Sequence, residues 1–143
     1  LEILRVAMHP GSVQGFGRLG RDEVPTFLLP ANPVSALVTF EVMVRPLIRI
    51  ALGKRQPMRR VITARTIGPI ASVYGRTGYL RGQLMRDERS GDYLVQVIGA
   101  SPTGSSHLLA ELAEANCLII VEPDVEELAT GDEVEVAFLA QRG

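Results

Sequence analysis

The residues with the clearest chemical potential sit at a strand-to-helix turn. In Phe27-Leu28-Leu29-Pro30-Ala31-Asn32-Pro33-Val34-Ser35 an apolar run stops at a proline, turns through Ala31 and gives way to helical spacing. Asn32 is a preferred N-cap, and Pro33 follows at the first helical position, where its missing N–H costs nothing. Such a start gathers N–H groups and the positive end of a dipole at one spot, which suits a phosphate, a carboxylate or an oxyanion. The same residues also serve as a plain structural cap. A second loop, Ser101-Pro102-Thr103-Gly104-Ser105, is rich in hydroxyls and backbone donors and leads to Ser106, which can cap a short helix over residues 107–115, closed by Asn116. Arg81, beside Gly82 in a strand-like run, is a third candidate, because a guanidinium can grip an oxyanion at two points.

No catalytic set is complete. His9 and His107 lie in separate segments without metal-ligand spacing, and Ser35, Ser105 and Ser106 have no adjacent base. The acidic residues between Glu122 and Glu127 read as a solvated face. The single cysteine, Cys117, stands at the head of Leu118-Ile119-Ile120-Val121 and reads as a small buried apolar residue. No metal site is expected within the chain.

The elements that must position these groups divide in two. Helical periodicity runs from Pro33 to about Leu52, with Gly53 at the C′ position, and Pro46 should bend the helix near its third turn. Ser35, Thr39, Arg45 and Arg49 fall within an arc of about 120° and apolar residues fill the rest, so the helix is expected to be buried on most sides. Glu41, Arg45 and Arg49 rule the same stretch out as a membrane span. Upstream, residues 3–8 and 26–29 read as strands, and Gly11, Gly15, Gly17 and Gly20 imply a loop or hairpin between them. The basic, proline-containing stretch 53–60 marks a boundary, giving units 1–54 and 55–143. Beyond it the period changes to two. Strands are expected at 61–67, 79–86, 93–98, 117–122 and 133–139, a β-clip or partly open barrel interrupted by one short helix. The fold class is therefore α+β, the first unit being the C-terminal part of a multi-layer α/β domain whose other strands and helices lie outside this chain.

Fifteen basic and sixteen acidic side chains leave a net charge of −1, which gives no grip on nucleic acid or on an acidic membrane. The chain opens mid-pattern at Leu1-Glu2-Ile3-Leu4 with no targeting segment, and it is read as a piece of a longer soluble, cytoplasmic protein.

Four separated blocks in one order resemble the molybdopterin molybdenumtransferases, the MoeA and gephyrin E-domain family. They are Val6-Ala7-Met8-His9-Pro10-Gly11 with Phe16-Gly17-Arg18-Leu19, then Leu29-Pro30-Ala31-Asn32-Pro33-Val34-Ser35-Ala36 running on to Val44-Arg45-Pro46. Gly75-Arg76 with Arg81-Gly82 follows, and last come Gly104-Ser105-Ser106-His107 and Asn116-Cys117. The resemblance implies molybdenum insertion into adenylylated molybdopterin, with molybdate as co-substrate, Mg2+ assisting adenylate cleavage, and a homodimeric enzyme. It implies substrate binding by His9, Pro10, Gly11, Ser12, Asn32, Pro33, Ser35, Arg81 and Ser106. It also places the catalytic aspartates upstream, so that this chain by itself is expected to be inactive. The family's Lys-Pro-Gly-Lys stands here as His9-Pro10-Gly11-Ser12, and Ala31 stands where glycine is usual. The alternative is a non-catalytic paralogue that binds a molybdopterin-type ligand or acts as a scaffold.

Overall fold

A computed structural model describes residues 1–98 and 115–139. They form two compact units, Leu1–Met58 and Arg59–Gly143.

In the first unit β1 (Glu2–Arg5), β3 (Val13–Leu19) and β4 (Val24–Leu28) make an antiparallel sheet in the order β1-β3-β4, and β2 (Met8–His9) is a two-residue strand before the His9–Ser12 turn. Of the two expected alternatives the glycine-rich stretch is the hairpin, with Gly15 and Gly17 inside its first strand. Gly15 and Gly17 are strand residues because their neighbours come too close for a side chain: a Cβ on Gly15 would lie 2.9 Å from Leu28 Cδ1, and one on Gly17 would lie 2.9 Å from Leu1. The turns fall at the two ends of the stretch, with Gly11 at φ +97° and Gly20 at φ +76°.

The helical stretch opens as α1 (Pro33–Thr39) and closes as α2 (Arg45–Ala51), with a π-helical turn, Phe40–Val44, between them. Pro46 has no N–H for the carbonyl of Val42. Immediately before it the backbone widens, and the Arg45 amide bonds to the Phe40 carbonyl. Gly53, at φ +74°, ends the helix as expected: its amide donates to Ile50 O and that of Lys54 to Arg49 O, both at 2.9 Å. The expectation of burial on most sides is not met within this chain. Val38, Thr39 and Pro46 are buried, but Leu47, Ile48, Ile50 and Leu52 are exposed.

The second unit is a closed barrel, not a clip or a partly open one. β7 (Thr77–Arg86) and β8 (Tyr93–Val97) form the expected hairpin, β8 runs parallel to β5 (Val61–Thr66), and β5 is antiparallel to β11 (Glu133–Phe138). β11 pairs with β9 (Cys117–Val121), and β9 pairs back onto β7 with Gly82 opposite Cys117, which closes the ring. β6 (Ile70–Ala71) and β10 (Glu127–Leu128) add a small two-stranded ladder. Because β9 is apolar at every position it can be covered on both faces and hydrogen-bonded on both edges, which removes the open edge. Ala64, Leu84, Val95, Cys117, Ile119, Val121, Val134 and Val136 fill the interior.

Asn116 reads from sequence as a helix cap, but it is the last rung of this closure. Its Oδ1 accepts from the Leu84 amide at 2.6 Å, its Nδ2 donates to the Leu84 carbonyl at 3.1 Å, and its own amide donates to Gly82 O at 3.1 Å. The side chain substitutes for a strand neighbour in front of β9. Asn116→Ala leaves two backbone groups unpaired in a half-buried site, so it should lower the unfolding free energy by about 1–3 kcal/mol in urea titration. A loss below about 0.5 kcal/mol would show that water replaces both bonds without cost.

Candidate functional site

The helix start is as expected in outline and different in its donors. Asn32 Oδ1 accepts from the amides of Val34 at 2.9 Å and Ser35 at 3.2 Å, and the Asn32 carbonyl accepts from Ala36 at 2.9 Å. Pro33 has no amide to give. The first-turn amides that were expected to face an anion are therefore engaged by the cap. Asn32 and Pro33 are exposed and Ser35 is half-buried, so the opening itself is not plugged within the unit. The donors it can offer a ligand are side chains, the Ser35 hydroxyl and Asn32 Nδ2, with the helix dipole behind them.

The His9–Ser12 turn belongs to the same unit. His9 is exposed, Pro10, Gly11 and Ser12 are partly covered, the His9–Pro10 peptide is cis, and Gly11 has φ +97°. The turn is tied to its strands by Val6 N to Ser12 O at 2.7 Å and by Gln14 Nε2 to Gly11 O at 2.9 Å. On its other side Gly11 packs against Thr39, one helical turn beyond Ser35. Two motifs far apart in sequence, the His9–Ser12 turn and the helix begun at Asn32, thus meet at a residue that sequence reading placed only on the polar arc. Its signal was the presence of a hydroxyl where burial favours an aliphatic side chain.

Arg81 lies on β7 opposite Leu118 of β9. Along β7, Gly82 points inward, where a Cβ would lie 2.9 Å from Ile119 Cδ1 and 3.1 Å from Cys117 Sγ, so by alternation Arg81 faces the outside of the barrel. It is nevertheless only 8% exposed, and its Nη1 has no hydrogen-bond partner among the described residues. A guanidinium donor shielded from water and without a partner is chemically able to donate to an anion's oxygen. Ser106, and the helix expected over residues 107–115, fall in a segment of which only Ala115 is described, and Ala115 is not helical.

Other chemistry is poorly supplied. Burial pushes the Cys117 thiol up to about 12, so it stays protonated and unreactive near neutral pH. Burial, and then the charge of Glu122, raises Tyr79 above its ordinary value. Among the described residues no group of three or more His, Cys, Asp or Glu side chains could hold a metal, and no helix is long and apolar enough to cross a membrane.

Fold and donors together define an α+β chain with a closed five-stranded barrel and side chains suited to holding anions. Residues 63–139 match the family described as "MoeA C-terminal region (domain IV)", and the chain belongs to the MoeA family. Over all of its length it is 72% identical to "Molybdopterin molybdenumtransferase 1" of Mycobacterium tuberculosis, covering 34% of that protein. It is 40% identical to "Molybdopterin molybdenumtransferase 2" of the same organism over 95% of this chain and 31% of that one. The crystal structure of a molybdopterin biosynthesis moea protein from Pyrococcus horikosii superposes with a TM-score of 0.76 at 28% identity, covering 99% of this chain and 33% of that one. The chain thus spans about a third of the length of the curated relatives it matches.

The cap makes a specific prediction. Asn32→Ala removes the acceptor shared by the Val34 and Ser35 amides and should destabilise the helix by about 1 kcal/mol in thermal or urea unfolding. Asn32→Asp keeps the acceptor and should hold stability within about 0.5 kcal/mol. Equal loss in both variants would mean that Asn32 acts through its Nδ2 donor and not as a cap.

Proposed function

We propose that the protein containing this chain inserts molybdenum into adenylylated molybdopterin, taking molybdate as the second substrate and releasing molybdenum cofactor and AMP. The observation that carries this reading is Arg81, a guanidinium buried with Nη1 unpaired. Both substrates are anionic, and an oxyanion accepting from Arg81 would offset the desolvation that the fold leaves uncompensated. The His9–Ser12 turn, Asn32, Pro33 and Ser35 form a second set of substrate contacts, and Ser106 contributes a hydroxyl. Residues upstream of this chain carry the catalytic aspartates and complete the three-layer α/β domain. They would cover the apolar residues that α2 and β1 leave open here, Ile3, Leu47, Ile48 and Ile50 among them. The parent works as a homodimer in the cytoplasm. Magnesium serves the family reaction, but the described residues do not make a site for it, and no step is assigned to it in this chain.

A second reading is favoured by one feature. His9 and Ser12 stand where the family usually has lysines, so two fixed cations are missing from the turn. A non-catalytic paralogue that binds a molybdopterin-type ligand would tolerate that loss. Molybdenum insertion by the full-length parent separates the two: turnover in the wild type removes the non-catalytic reading. Turnover only after His9→Lys and Ser12→Lys removes the active-enzyme one.

In an active parent Arg81→Ala should lower kcat/KM by about 10²–10³-fold, the usual effect of deleting a preorganised anion donor. Arg81→Lys keeps the charge but loses the planar fork and should recover less than a tenth of the activity. Values for Arg81→Ala within about threefold of wild type would remove Arg81 from the site.

A further inference from the structure

Thr39 is the last residue of α1, and its hydroxyl is in an unusual position. The residue is 2% exposed and its Oγ1 has no hydrogen-bond partner among the described residues. Threonine in a helix ordinarily bonds back to a carbonyl one turn earlier or points its hydroxyl to water. Valine has the same outline and carries no polar atom to desolvate, so a wholly structural site would be more stable with valine.

The hydroxyl faces the His9–Ser12 turn. A Cβ added to Gly11 would lie 2.7 Å from Thr39 Oγ1, closer than side chains approach, and a tight 3.2 Å from Met8 Cε. Only glycine lets the turn come down this far, and its φ of +97° is a second reason for glycine there. The strand side of the turn is already tied by Val6 to Ser12 and by Gln14 to Gly11. The helix side rests on a polar atom whose hydrogen-bonding capacity is unused. The π-helical turn begins at the next residue, Phe40, so the backbone under this contact is a local departure from α-geometry. Such turns are frequent at functional sites.

We propose that Thr39 is a positioning residue for a tetrahedral oxyanion held at the His9–Ser12 turn. When the oxyanion loads the turn, a turn amide comes onto Thr39 Oγ1, and this bond fixes Gly11 and Ser12 against the helix with their donors directed at the ligand. The hydroxyl acts through the turn and does not touch the ligand. The inference rests on the substrate reading given above, and the oxyanion is either molybdate or the phosphate of the pterin substrate.

The test uses the full-length parent. The KM for molybdate is measured at saturating adenylylated molybdopterin and the KM for the pterin at saturating molybdate, for wild type, Thr39→Val and Thr39→Ser, with the unfolding temperature of each. Thr39→Val should unfold at or above the wild-type temperature, because an unpaired buried hydroxyl is removed. It should raise one of the two KM values about tenfold with kcat within about twofold, and the substrate affected identifies the oxyanion. Thr39→Ser keeps the hydroxyl and should bring that KM back to within about threefold of wild type. Wild-type KM values for Thr39→Val would overturn the role of Thr39 while leaving the substrate reading intact. A lower unfolding temperature with kcat and both KM values changed together would mean that the hydroxyl is structural. A wild-type parent that turns over no substrate would overturn the substrate reading and this inference with it.

Discussion

A buried donor without a partner costs a fold free energy, and Arg81, only 8% exposed, carries one in Nη1, which has no hydrogen-bond partner among the described residues. Closure of the barrel brings this burial about. β9 pairs with β7 only because Gly82 leaves room for Ile119 and Cys117, and strand alternation then turns the neighbouring Arg81 to the opposite face, opposite Leu118. The Asn116 rung fixes where β9 begins, so the register that orients Arg81 depends on an amide side chain bonded to Leu84. Neighbouring residues in sequence thus carry the two halves of one constraint: glycine makes room for the closure, and arginine is left with Nη1 unpartnered among the described residues.

The first unit handles its polar groups differently. The helix start that sequence marks most strongly has its first-turn amides taken up by Asn32, so its attraction for an anion reduces to a dipole, a hydroxyl and an amide side chain. Gly11 meets that helix at Thr39, which couples the His9–Ser12 turn to Ser35 through a single helical turn.

Much of this was legible in the residues. Local signals fixed the helix start at Asn32, its end at Gly53 and the five barrel strands, because capping, glycine at positive φ and period-two alternation act over a few residues. What escaped depended on contacts remote in sequence. Barrel closure needs β9 to find β7 some forty residues away, a pairing with no local signature. Gly15 and Gly17 read as turn residues because composition cannot distinguish a glycine that bends the chain from one that admits a neighbour. Asn116 read as a cap for the same reason: its partner, Leu84, is thirty-two positions distant. The π-turn was foreshadowed only as a bend at Pro46. Among site residues, Arg81 was found as a strand arginine beside a glycine, while Thr39 was visible only as one polar position among four on a helix face.

The central claim, that Arg81 is held in readiness for an anion, is tested most directly by unfolding the full-length protein in anion-poor buffer while molybdate is titrated, for wild type and Arg81→Met. Removal of a buried donor that has no partner should leave Arg81→Met at least as stable as wild type without molybdate, and wild type should gain more stability than the variant as the anion is added. A variant that is less stable from the outset and gains as much from molybdate as wild type would contradict the account.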